Sequence, residues 1–271
     1  MKIYSDKALS QQLEKTEACF NAAFVCSRMQ MFPNRKAEWI AINGTYAMFD
    51  GVESPLTQTF GLGLFENLSL KTIEELEKFY RQFSAPIFHE VSPMADPSHM
   101  DVLYKCGYQP IELTNILYKP LSKENAVYPP INSEITTQSM QKGEEKIWAS
   151  VSAQGWNLEA PDLSEFIYEF AQVAIQSRGV LSFFANLHGK PISTGMLYID
   201  NNIALLAGDS TIAEGRNRGA QNALIEARLS YAAAHGCTVA MMATSPGSQS
   251  QKNAEKKDFR LAYTRTKWKL M

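Results

Sequence analysis

Gly215-Arg216-Asn217-Arg218-Gly219-Ala220-Gln221 stands between a run that reads as a strand, Ile203 to about Ile212, and a helical pattern. That helix carries Ala220, Ala223, Leu224, Ala227 and Tyr231 on one face and stops at Gly236. Gly219 frees the backbone to turn, so successive N–H groups converge where the positive end of the following helix also points. Such a junction makes a cradle for a phosphate or pyrophosphate, and two flanking arginines strengthen it. It is not a Walker loop, because no Gly-Lys-Ser/Thr follows, and the Gly-x-Gly-x-x-Gly series of a dinucleotide site is missing. Taken alone, these residues also fit a basic turn that caps a surface helix.

Working outward, the preceding segment is a helix followed by three strands. Asp162 and Glu165, with Pro161 at the start, open a helix whose apolar positions Leu163, Phe166, Ile167, Phe170, Val173 and Ala174 share one side, and Arg178-Gly179 close it. The extended runs Val180 to Leu187, Ile192 to Ile199 and Ile203 to Ile212 are separated by His188-Gly189-Lys190 and Asp200-Asn201-Asn202, which read as tight turns of an antiparallel meander. Downstream come a strand from Cys237 to Thr244, the turn Ser245-Pro246-Gly247-Ser248, a short helix to about Lys257 and a last strand from Phe259.

The order recurs. A shift of 151 residues lays Glu75 on Glu226, Tyr80 on Tyr231 and Tyr108 on Phe259; with one residue removed, Thr114, Tyr118 and Lys119 fall on Thr264, Trp268 and Lys269. A repeated succession of helix, strand, turn and strand is what duplication leaves behind, and 271 residues suit two domains. The join is expected within residues 121–133, where Pro129-Pro130 holds the chain extended. The stretch of the first half matching the cradle, Phe65-Glu66-Asn67-Leu68-Ser69-Leu70, has no glycine or cation, and is expected not to hold pyrophosphate. Gly61 and Gly63 read as a turn or bulge.

Composition excludes several classes. With 26 basic and 28 acidic side chains the formal charge is −2, so there is no net cationic field to draw in nucleic acid or an anionic membrane. No apolar run approaches the ~20 residues of a membrane span, and the polar start shows no secretory signal. Cys19, Cys26, Cys106 and Cys237 suggest neither a disulfide framework nor a zinc site, and the four histidines lack ligand spacing, so a cytoplasmic, metal-free protein is expected. Trp39, Trp156 and the cluster Phe166, Tyr168, Phe170 read as core.

Arg216-x-x-Gly219-x-Gln221, with the downstream GSQSQKNAEKKDFRLAYTRTKW, resembles the cofactor loop and following helix and strand of the GNAT superfamily of acyl-CoA dependent N-acyltransferases. The resemblance implies an α/β (α+β) chain of two tandem GNAT-like domains, each a mixed, mostly antiparallel sheet flanked by helices. The expected division is residues 1–125, degenerate, and 126–271, binding acetyl-CoA. It implies that the backbone of Arg216, Asn217, Arg218, Gly219, Ala220 and Gln221 takes the CoA pyrophosphate, that main-chain groups at Thr211 and Ile212 pair with the pantetheine arm, and that Ser250 and Asn253 face the thiol end. Three residues depart from the family pattern: Gln221 replaces a small residue, Asp258 replaces the glycine before Phe259, and Ala254 stands where a tyrosine often protonates the leaving thiolate.

The reaction implied is acetyl transfer to an amine of a small molecule or peptide by a monomer or homodimer. Tyr263 is the candidate proton donor, with packing in a strand as its ordinary role. Asp209 is the candidate base, with Glu214 beside it, although a solvated carboxylate near arginines is the commoner arrangement; a water relay serves equally. The acceptor wall is expected in regions such as Gln154 to Pro161. A non-catalytic acyl-CoA binding or regulatory protein is the alternative that Ala254 motivates, and a protein-interaction module is a third.

Overall fold

The computed structural model describes residues 3–122, 132–157 and 163–271. Most of the expected join, including Pro129-Pro130, lies outside them, as do Pro161 and Asp162. The elements follow as α1 (Lys7–Met31), β1 (Glu38–Ile42), β2 (Thr45–Phe49), β3 (Gln58–Phe60), α2 (Leu70–Arg81), β4 (Phe88–Val91), α3 (His99–Lys105), β5 (Tyr108–Pro120) and β6 (Ile135–Ser139). Then come α4 (Glu145–Asn157), α5 (Ser164–Ile175), β7 (Val180–Leu187), β8 (Lys190–Asp200), β9 (Ile203–Thr211), α6 (Ala220–Ala234), β10 (Val239–Thr244), α7 (Gln249–Glu255) and β11 (Arg260–Leu270). The shift of 151 residues carries α2 onto α6, β4 onto β10, α3 onto α7 and β5 onto β11, so the repeat of elements is real.

These residues form two compact units: residues 1–117, 243–251 and 260–271, and residues 118–242 with 252–259. In the second unit the strand order is β10-β9-β8-β7-β6, antiparallel except where β10 meets β9. The meander is as read, but its turns are tighter: Leu187 pairs with Lys190 and Asp200 with Ile203, leaving two-residue loops. His188, Gly189 and Asn201 take positive φ there, which matches the twist of the flanking strands. Trp148 of α4 is buried and donates its indole N–H to Phe183 O at 3.0 Å. Trp156 differs from the reading as core, for 43% of it is exposed.

In the first unit the order is β1-β2-β3-β4-β11-β5, with β3 and β4 parallel and β11 antiparallel to β4. Trp268 of β11 packs into a core with Leu62, Leu76, Tyr80, Leu103 and Tyr108. A buried ion cluster fastens the same strand to α1 and β4. Arg265 Nη1 and Nη2 lie 2.7 and 2.9 Å from the two Glu17 carboxylate oxygens, Nη1 lies 3.4 Å from Glu14 Oε2, and Nε 3.0 Å from Glu90 Oε2. Tyr263 Oη donates to Glu14 Oε1 at 2.9 Å. Lys267 Nζ, 3.6 Å from Glu90 Oε1, adds a second cation against three carboxylates. Removing one partner from such a cluster strands a charge without water, which is strongly destabilising.

Two buried groups give stability opposite pH slopes. Burial, outweighing the pull of Arg265, pushes Glu14 up to about 7 from an ordinary 4.5, so its contribution is full below 4.5 and lost as pH rises to about 7. Burial takes His89 down to about 3 from 6.5, so its contribution is present above 6.5 and lost as pH falls. The E14Q variant keeps an acceptor for Tyr263 and removes the first slope. Its Tm is expected to climb more steeply with pH than that of the wild type between about 4.5 and 6.5; parallel thermal-unfolding curves would refute this.

Candidate functional site

The site of interest lies in the second unit, where β9 and β10 run parallel and α6 is their crossover. Their ladder covers Ile203 to Leu205 against Val239 to Met241 and goes no further, while β9 continues to Thr211, so the strands part toward their C-terminal ends. The chain leaves β9 at Ile212, whose N–H donates to Ile192 O at 3.0 Å, and makes one 3-10 turn over Ala213–Gly215. A Cβ on Gly215 would stand 3.0 Å from the Ile192 side chain. Arg216 to Gly219 then reverse direction, with Asn217 at φ 59° and Gly219 at φ 88°.

Gly219 is the N-cap of α6 and supplies no side-chain cap. The first helical bond runs from Ala223 N–H to Gly219 O, so the N–H groups of Ala220, Gln221 and Asn222 have no acceptor within the helix. Among the described residues, the nearest heavy atom to a Cβ built on Gly219 would be Asn132 Cβ at 4.0 Å, so they leave space beside the N-cap. Arg216, Asn217 and Arg218 are exposed around it. Arg216 Nη2 lies 3.4 Å from Gly155 O and Arg218 Nε donates to Glu214 O at 3.0 Å, contacts that hold the loop while the charges face solvent. Donors, open space, cations and helix dipole together suit a phosphate.

The equivalent junction of the first unit is built the other way. Ser69 caps α2 by accepting from Thr72 N–H at 3.1 Å, and Leu62, Leu64 and Leu68 are buried in the preceding loop. Gly61 and Gly63 take φ 77° and 69°, and Leu64 N–H donates to Gly61 O, which makes a turn. Apolar side chains and a hydroxyl thus occupy what the second unit leaves bare.

The remaining sequence candidates fall as follows. Thr211 Oγ1 lies 2.7 Å from Ser193 Oγ and 3.5 Å from Gln221 Oε1, so the glutamine meets the last residue of β9. Asp258, at the position where the resemblance leads one to expect glycine, takes φ 60°, the backbone form a glycine favours; Lys119 Nζ lies 3.4 Å from its carboxylate. Ser250 and Asn253 lie half-buried on α7, which crosses the division between the units. Ala254 is fully buried. Tyr263 sits in the ion cluster of the first unit with its hydroxyl on Glu14, and Asp209 is paired to Arg228. Glu214 is exposed in the 3-10 turn. A groove of about 360 Å³ beside α4 is lined by Lys146, Ile147, Gln154, Lys190, Pro191 and Ile212; Gln154 comes from the expected acceptor wall, whose residues 158–161 lie outside the described part.

A device that the sequence reading missed lies under β9. The register of β8 with β9 slips between Thr194, opposite Ser210, and Met196, opposite Ala207, so Gly208 and Asp209 together oppose Gly195 in a β-bulge. Gly208 has φ 65°, and a Cβ on it would stand 2.3 Å from Met196 Cε. The Arg228 guanidinium, with no exposed surface, donates to Met196 O at 2.9 Å, Ala207 O at 3.3 Å and Asp209 Oδ1. Two glycines within predicted strands, and an arginine beside the apolar positions Leu224, Ile225 and Leu229, were the available signals.

No protein-family model matches this chain, and neither does any curated protein sequence. Solved structures do. It is similar to a GCN5-related N-acetyltransferase from Kribbella flavida at 15% identity and TM-score 0.60, covering 92% of this chain and 95% of that one. A GCN5-related N-acetyltransferase from Sphaerobacter thermophilus gives 12% identity and TM-score 0.58, over 83% and 76%. A tandem GNAT protein from the clavulanic acid biosynthesis pathway, solved without acetyl-CoA, gives 15% and 0.56, over 73% and 68%. The fold is therefore that of the GCN5-related N-acetyltransferases, as the loop motif implied. Among the described residues no cluster of side chains suits a metal ion, and no helix is long and apolar enough to cross a membrane.

Gly208→Val tests the bulge. It places a branched side chain at positive φ against Met196, and is expected to destabilise the chain by about 2 kcal/mol or more in denaturant titrations; an unchanged midpoint would show that the bulge needs no glycine.

Proposed function

We propose that this chain is an N-acetyltransferase that takes its acetyl group from acetyl-CoA and transfers it to an amine of a small molecule or peptide, as a cytoplasmic monomer or homodimer. The observation that carries the reading is the N-terminus of α6, which has no side-chain cap and three N–H groups without an acceptor in the helix, beside two exposed arginines at the place where parallel strands part. On this reading the backbone of residues 216–221 holds the pyrophosphate, the strand edge at Thr211 and Ile212 holds the pantetheine arm, and Asn253 serves the thiol end. The duplication divides near residue 126, with cofactor bound by the later copy alone; Ser69 and the buried leucines support that asymmetry.

The chemistry follows from holding two reactants together. The neutral amine nitrogen attacks the thioester carbonyl carbon, a C–N bond forms, the C–S bond breaks, and the thiolate takes a proton while the new amide nitrogen loses one. Tyr263 and Asp209 are engaged with Glu14 and Arg228, so water carries these protons in the proposed mechanism. The second reading, a binder of acyl-CoA without transfer, is favoured by the buried Ala254 at the usual tyrosine position.

Isothermal titration with acetyl-CoA is expected to show one site per chain, and Gly219→Glu is expected to weaken it at least ~100-fold by placing bulk and negative charge before the helix N-terminus. No binding by the wild type at millimolar acetyl-CoA would overturn both readings. Free-thiol release over a panel of amines then separates them: release with some amine supports transfer, and none across the panel supports the binder.

A further inference from the structure

Arg228 spends more hydrogen-bonding capacity on β8 and β9 than anchoring a helix requires. A bulge disrupts the ladder locally and leaves its extra residue unpaired. Here the carbonyls of Met196 and Ala207, one on each strand beside the slip, both accept from Nη1, while Nη2 meets Asp209, the second bulged residue. Nε donates to Leu224 O at 3.1 Å, which ties the fork to the first turns of α6. A Cβ on Gly195 would stand 2.8 Å from Cζ, Nη1 and Asp209 Oδ1 alike, so this residue keeps the space open. Arginine suits the task because its planar fork gives several donors in fixed directions at once, which a lysine ammonium does not.

Two residues beyond Asp209 lies Thr211, and Ile212 follows; the bulge therefore sets the height and direction at which that edge leaves the sheet. The other end of the same arginine holds the helix whose N-terminus forms the cradle. We infer that Arg228 is a positioning residue that locks the β9 bulge in one register and so aligns the strand edge at Thr211 and Ile212 with the α6 cradle, making a two-part site for an extended ligand with a phosphorylated head and an amide-bearing arm. This inference rests on the cofactor reading above, and goes beyond it by assigning the arm's alignment to a residue that contacts no ligand.

The test compares two ligands on one protein. Acetyl-CoA spans both parts, whereas its head group, 3′-phospho-ADP, reaches the cradle alone. The R228M/D209L double variant removes the fork without leaving a carboxylate unpaired in the interior; R228K, which keeps the charge opposite Asp209, is the milder second variant. Thermal unfolding selects whichever is folded at the assay temperature. Loss of one or two arm hydrogen bonds is expected to weaken acetyl-CoA about tenfold while 3′-phospho-ADP changes less than about twofold. Equal weakening of both ligands, or of neither, in a folded variant overturns the inference, since a merely structural arginine would not separate them. Failure of the wild type to bind acetyl-CoA would instead overturn the cofactor reading itself, so the two failures are distinct.

Discussion

Two strands that run parallel and follow each other in sequence cannot be joined by a tight turn; the chain must travel back through a crossover. In the second unit α6 is that crossover between β9 and β10, and its N-terminus necessarily arrives at the C-terminal end of β9. Because the parallel ladder stops after Leu205, the strands part at the same end. Uncapped helix donors, a free strand edge and an opening are thus brought together by one topological requirement. The antiparallel meander, the bulge and the helices behind it hold that junction in place.

The same requirement operates in the first unit, where α2 joins β3 to the parallel β4, yet the result is closed. Ser69 satisfies a donor at the helix start and leucines fill the loop. Two copies of one arrangement therefore differ in a few side chains that decide whether the junction presents donors or hides them. The first unit spends its polar groups elsewhere, in the cluster of Glu14, Glu17, Glu90, Tyr263 and Arg265 that seats the last strand. Burying such a cluster costs desolvation that its attractions offset only while every partner is present.

Legibility from sequence followed the range of the interactions. The limits of β7 and α6 were readable because periodicity, glycine stops and turn residues act over a few positions, and the Gly219 loop was readable for the same reason. The turn His188-Gly189-Lys190 came out one residue shorter, since pairing of Leu187 with Lys190 is decided across the strands. Asp258 and Gln221 looked like departures from the family pattern. In the structure Asp258 takes a glycine's φ and Gln221 meets Thr211, so both accommodate the pattern through contacts that no local spacing encodes.

By itself the sequence determined the succession of elements from β7 to β11, their recurrence in the first half and the turn at Gly219, because each is written in local periodicity and in single residues such as Gly219 that allow a positive φ. Only the tertiary structure decided that Trp268, Tyr263 and Arg265 at the end of the chain complete the first unit, and that Asp209 answers Arg228 across a bulge. Those outcomes depend on which distant groups remain unpaired when water is excluded. Burial assigns partners to charges, and burial is a property of the assembled fold.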